Sequence, residues 1–249
     1  MKTIHPTAVV ENGAQLGDNV TVGANVIIGS NTVIGNNVTI QNNCEIGVYS
    51  AGYNIEPLVI GNNSLIRSQS IFYTGSKFGE NLVTGHRVCV REGVNAGNNL
   101  QLGTLTDVQG DCLIGDYVRM HSNVHIGKHS KIGNYVWIFP YVVLTNDPHP
   151  PSNVTKGVVI EDYVVISTMS VVLPGVVVRK DTLVGAHSLV SKNTNEGTLV
   201  AGSPAKEICL ASKMRLQDGS RQSAYPWRKH FHRGYPVDVV NDWKAEFEI

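Results

Sequence analysis

The chain has 249 residues in which 20 Lys and Arg balance 20 Asp and Glu, leaving no formal net charge, so nothing electrostatic favours a nucleic-acid or anionic-membrane partner. No apolar run approaches the roughly 18 residues of a membrane span, and Met1-Lys2-Thr3 leads into Ile4 without an apolar leader. The four cysteines, Cys44, Cys89, Cys112 and Cys209, show no paired spacing, and a reduced, cytoplasmic protein is expected.

From Ile4 onward an aliphatic residue recurs at every sixth position. Ile4, Val10, Leu16, Val22, Ile28, Ile34, Ile40 and Ile46 open the series; it resumes at Ile60 and runs on to Leu144, then again from Ile160 to Val190. Two positions before many of these stands another small or apolar residue, as at Ala8, Ala14, Val20, Val26 and Val38. Alternation of period two inside a period of six describes a short strand with two inward side chains, then a turn. A helix cannot hold this pattern, because six residues rotate it by roughly 600° and the apolar stripe wanders. The frequent glycine after the aliphatic residue (Gly17, Gly23, Gly29, Gly35) suits a corner needing backbone freedom. The reading is a three-sided parallel β-helix of about ten coils, with about 18 residues per coil and successive coils about 4.8 Å apart. It occupies residues 1–200, with a tail over 201–249.

Two breaks in register mark loops. One runs from Tyr49 to Pro57. The other, 145–157, is polar and proline-rich, with Asn146-Asp147-Pro148-His149-Pro150-Pro151, and a loop thrown out of a rigid solenoid is a usual binding site. Stacking places Asp107 beneath His125, both pointing outward and close enough to touch. His121 holds a corner where most coils have glycine, followed by Asn123, and His86 and Arg87 follow the same corner two coils earlier. A histidine beside a carboxylate can act as a general base. His5 and His129 read as solvated turn residues. Outward Cys89, Val143, Val165, Val171 and Val177 form an apolar set that points to an interface. In the tail, Ser203-Pro204 reads as a helix start beside Lys206, suited to an anion, and Ile208 to Leu216 as a short helix. The aromatic and basic run Tyr225 to Pro236 is expected to cover the side or open end of the solenoid.

The hexads, the opening Ile4-His5-Pro6-Thr7-Ala8, and three longer runs carry a family likeness: Arg119-Met120-His121-Ser122-Asn123-Val124-His125-Ile126, Leu144-Thr145-Asn146-Asp147-Pro148-His149-Pro150, and Ala201-Gly202-Ser203-Pro204-Ala205-Lys206. Together they resemble the left-handed parallel β-helix acyltransferases, in particular bacterial sugar acetyltransferases that use acetyl-CoA and act on nucleotide-linked amino sugars for surface polysaccharide. The resemblance implies left-handed coiling, a homotrimer with sites between subunits, and acetyl-CoA as co-substrate without a metal. It also suggests that Asn146 and Asp147 of the loop lie at the acceptor sugar; with the residues that stacking gathers, the expected catalytic set is His125, His121, Asp107 and Asn146, and His86, Arg87, Asn123, Asp147 and His149 are expected to bind the acceptor. CoA would run past Ser167, Gly185, Ala186, Ser203 and Lys206. An O-acetyltransferase of a sugar hydroxyl is the nearest alternative. A zinc carbonic anhydrase of the γ type fits less well: its two later histidines are five apart, whereas His121 and His125 are separated by four. A non-catalytic scaffold is the third class.

Overall fold

A computed structural model describes residues 1–52 and 56–247. The middle of the expected 49–57 loop, Tyr53 to Ile55, lies outside the described residues. The protein is a left-handed parallel β-helix of about 11 turns with one short α-helix near its C-terminus. Each coil contributes one short strand to each of three parallel sheets. The first face stacks Thr3–Ile4, Thr21–Val22 and their successors up to Leu183–Val184, the second begins at Val9–Val10, and the third at Gln15–Leu16.

Register follows the repeat: Ile4 pairs with Val22, Val10 with Ile28 and Asp107 with His125. The inward hexad residues form one continuous core from Val20 to Val200. Every coil donates backbone N–H groups to the carbonyls of the next, as in His5 to Val22 and Gly17 to Ile34, which satisfies the main chain without a closed sheet.

The corner glycines are required for a different reason from the one the sequence suggests. Gly17, Gly23, Gly29 and Gly35 do not lie in the left-handed region. Instead, a Cβ on Gly17 would sit 2.7 Å from the Gly35 carbonyl, so the next coil approaches too closely for any side chain. The left-handed residues come two positions later. They are Asn19, Asn37, Asn63, Asn81 and Asn99 at one corner, where asparagine tolerates φ near +60° better than bulkier residues. Their side chains also bond coil to coil, Asn19 to Asn37 and Asn81 to Asn99 at 3.1 Å. In the upper coils the same column holds Tyr117, Tyr135 and Tyr163, whose rings stack at 5.2 and 5.1 Å.

The tail departs from expectation. Thr198–Gly202 and Ala205–Leu210 form an antiparallel hairpin that ends the first sheet, so Ser203 and Pro204 sit in its turn rather than at a helix start. The stretch from Ile208 to Leu216 is strand followed by a single 3-10 turn at Ala211–Lys213; pairing with Thr198 and Leu199 outweighs the weak local helical pattern. The α-helix lies later, at Val237–Glu246.

Residues 225–243 pack on the first face, as the aromatic run suggested. Trp227, Tyr235 and Trp243 bury themselves against Val165, Leu183, Trp137 and the tyrosine stack. Val165 is therefore only 6% exposed and is covered by its own chain, which removes it from the apolar set expected at an interface. Arg228, 2% exposed, bonds both Asp181 and Glu246 and lies over the Tyr163 ring at 4.0 Å. Arg119 is held between Trp137 and Tyr235, at 4.8 and 4.7 Å, and donates to the Gly234 carbonyl.

Candidate active site

The expected pair of Asp107 and His125 lies on the second face. Asp107 and His125 stand outward on successive strands because each immediately precedes an inward residue, Val108 and Ile126. The Nδ1 atom of His125 lies 2.9 Å from Oδ2 of Asp107, and both side chains are about one-third exposed, 38% and 34%. The same Oδ2 accepts a hydrogen bond from Nε2 of Gln109 at 2.6 Å. Partial burial pushes the Asp107 carboxyl up, but the bonds from His125 and Gln109 outweigh it and hold the group below its ordinary value. Asp107 thus stays ionised and orients the imidazole, leaving Nε2 turned away from the carboxylate. Sequence reasoning passed over Gln109, although its position two residues after Asp107 places it on the same outward side.

The two edges of this face divide the other expected residues. His86, Arg87, His121 and Asn123 share the corner between the first and second faces. His121 stacks on Phe139 at 4.6 Å and lies 6.1 Å from Trp137; burial first, then the charge of Arg119, lowers its pKa, which favours the neutral ring. Asn123 and Arg87 are left-handed corner residues with φ of 59° and 57°. Arg87 bonds Gln69 at 2.7 Å, and the His86 backbone N–H donates to Thr104 Oγ1.

Asn146, Asp147 and His149 lie beyond the opposite corner, where the chain leaves Thr145 above Gly127. Here Asp147 organises the loop: it accepts from the Ser152 hydroxyl at 2.7 Å and from the N–H groups of His149 and Ser152. Those bonds, with the Ser152 hydroxyl foremost, hold its carboxyl below the usual range. The Lys156 N–H closes the loop onto the Asn146 carbonyl at 2.8 Å. The expected single cluster is therefore a dyad in mid-face, flanked by one group of side chains at each edge.

The corner of His121 continues upward as a straight column. Register stacks His121, Phe139, Ser167, Gly185 and Ala201, and the hairpin sets Lys206 opposite Ala201. At ~4.8 Å per step this ridge is about 24 Å long. Exposed Ala186 and Ser203 border its upper part. The backbone N–H groups of His121, Ser167 and Gly185 donate to Ile138, Val184 and Val200, so they are not free to polarise a substrate carbonyl. Lys206 lies in a strand, not at a helix start, and only its own charge is offered to an anion. Among the described residues no group of three or more His, Cys, Asp and Glu side chains is placed to hold a metal ion, and no helix is long and apolar enough to cross a membrane.

Comparison with known proteins gives three findings. Residues 13–48 match the family model for the bacterial transferase hexapeptide (six repeats). A 2,3,4,5-tetrahydropyridine-2,6-dicarboxylate N-acetyltransferase of Staphylococcus aureus is 35% identical over 107 residues, which is 43% of this chain and 38% of that protein. The chain thus matches well under half the length of such curated relatives. The structure of an Arabidopsis UDP-N-acetylglucosamine acyltransferase superposes with a TM-score of 0.70 at 23% identity, covering 83% of this chain and 74% of that one. A further UDP-N-acetylglucosamine acyltransferase structure aligns with 99% of this chain and 82% of its own, with a TM-score of 0.52 and 17% identity. These structures establish the likeness of fold.

Proposed function

We propose, from the premise that this chain belongs to the hexapeptide-repeat transferase family, that it transfers an acetyl group from acetyl-CoA to a sugar, the acceptor being the amine of a nucleotide-linked amino sugar. The observation that carries this reading is the contact of His125 with Asp107 on an open face, at the foot of a ridge long enough for an extended CoA arm. The ridge offers small residues at Ser167, Gly185, Ala186 and Ser203, where a pantetheine chain can lie close, and a cation at Lys206 for a phosphate.

In the reaction the acceptor nitrogen attacks the thioester carbonyl carbon, a C–N bond forms, and the C–S bond breaks. The nitrogen proton passes to Nε2 of His125 and then to the departing sulfur, so the base is restored. Asp107 stabilises the imidazolium between those transfers. His121, neutral beside Arg119, lines the donor side. With the N–H groups of His121, Ser167 and Gly185 engaged, we assign alignment and carbonyl polarisation to the loop, with the Asn146 amide as donor. His86, Arg87, Asn123, Asp147 and His149 border the acceptor from the two edges. We keep the homotrimer expected from the sequence as part of this proposal, and its support is the apolar residues that remain outward on this face, Cys89, Val143 and Val171.

A free-thiol release assay with acetyl-CoA against a panel of nucleotide-linked amino and hydroxy sugars tests the reading. Turnover is expected with an amino sugar; activity confined to hydroxyl acceptors moves the assignment to O-acetylation, and release with none refutes it. Light scattering should give three times the 27.0 kDa of the chain.

A further inference from the structure

The residue whose place in the fold exceeds any role so far given to it is Gln109. We infer that Gln109 is a positioning residue, which holds the Asp107 carboxylate against His125 and limits how much of its charge the imidazole meets. The inference deepens the proposed function and rests on His125 acting as base. Its ground is the shared oxygen: Oδ2 of Asp107 takes Nε2 of Gln109 at 2.6 Å and Nδ1 of His125 at 2.9 Å. A carboxylate bonded by one partner alone swings about its Cβ–Cγ bond, and two donors from adjacent coils fix its plane. The backbone N–H of Gln109 donates to Ile126 independently of the side chain, so the amide can be altered without touching the ladder.

The surroundings isolate this triad. Below Asp107 on the same face stands Cys89, whose thiol is pushed up by burial and then by the Asp107 charge. Arg91, beside it, is bonded to Glu92 through Nε and Nη2 and lies over the Tyr73 ring, so its charge is partly matched and is the weakest of the influences that hold the Asp107 carboxyl down. Above His125 stands Val143, which is apolar. His121 and Arg119 lie toward one corner, the Asp147 and His149 loop toward the other. Gln109 is therefore the one neutral donor that bonds the Asp107 carboxylate among the described residues.

The sign of the effect follows. Removing the amide leaves more unpaired negative charge facing the ring, which favours the imidazolium and keeps the base protonated to higher pH. A cation in its place draws charge away from the ring and does the reverse. Gln109→Met should lower kcat by about five- to tenfold with KM unchanged and move the acid limb of the pH profile upward. It should also broaden the downfield proton resonance of the His125 Nδ1–H. Gln109→Lys keeps a donor within reach and should recover kcat to within about twofold, with the acid limb moved downward. A Gln109→Met enzyme whose pH profile and Nδ1–H resonance superimpose on the parent's overturns the inference, as does an acid limb that moves the same way in both variants. If His125→Ala retains full kcat, the base assignment fails by itself, while the Nδ1–H resonance of the parent and of Gln109→Met still reports whether Gln109 holds the dyad.

Discussion

The first and second faces of the solenoid are built from the same hexads and have been put to opposite uses. On the first, the upper coils present Trp137, Val165, Leu183 and Leu199, and the C-terminal segment folds back to bury them under Trp227, Tyr235 and Trp243. On the second, Val143 and Val171 hold the positions equivalent to Trp137 and Val165, Asp107 and His125 stand outward in the coils below them, and the aromatic tail cluster includes none of the four. Aromatic side chains gain by exclusion of water, so that face closes. An aspartate and a histidine bonded to each other gain little from exclusion of water, and under the proposed function they need access to substrate.

If the first face is a structural one, its largest vulnerability is the buried charge. Arg228→Ala strands Asp181 and Glu246 and should cost roughly 3–5 kcal/mol in the docking of the C-terminal segment. Urea unfolding followed by the fluorescence of Trp227 and Trp243 should show an early transition while the β-sheet circular dichroism persists; one unshifted transition would erase the distinction between the faces.

The second face should respond in rate rather than stability. His125→Ala should reduce kcat by roughly 10²-fold, about 2.7 kcal/mol, with the melting temperature unchanged. A folded variant with near-normal kcat from about pH 6 to 9 would point instead to unassisted attack by the neutral amine, with the thiolate as proton acceptor. Asn146→Ala, off the core, should lower kcat/KM about tenfold, or ~1.4 kcal/mol. A change in KM alone would confine it to binding.

An effect on stability rather than rate sharpens the boundary of the open face. Glu92 is 1% exposed; burial pushes its carboxyl up, but bonds from Arg91 and Ser50 prevail and bring it down to about 2. A depressed carboxyl stabilises the fold above its unfolded value, near 4.5, and that contribution is lost as pH falls toward 2. The parent should therefore lose several degrees of melting temperature across that window, and Glu92→Gln should flatten the dependence.

The periodicity made the coils, the core list and the pairing of Asp107 with His125 legible, because a repeat of six with inward alternation leaves one way to stack. Gln109 was equally within reach of that arithmetic. Other features were not. The left-handed corners fall on residues as unlike as Asn99, Leu105 and Tyr141, where coil stacking overrides local preference. The corner glycines are demanded by a neighbouring coil about eighteen residues away, a contact no local pattern reports.

By itself the sequence determined a parallel solenoid, its register, and the outward row bearing the dyad, since each depends only on spacing along a regular path. The tertiary structure alone decided two further matters. The tail after Thr198 became a hairpin because the last coil offered an unpaired edge. The aromatic run closed the first face because complementary rings stood there to receive it.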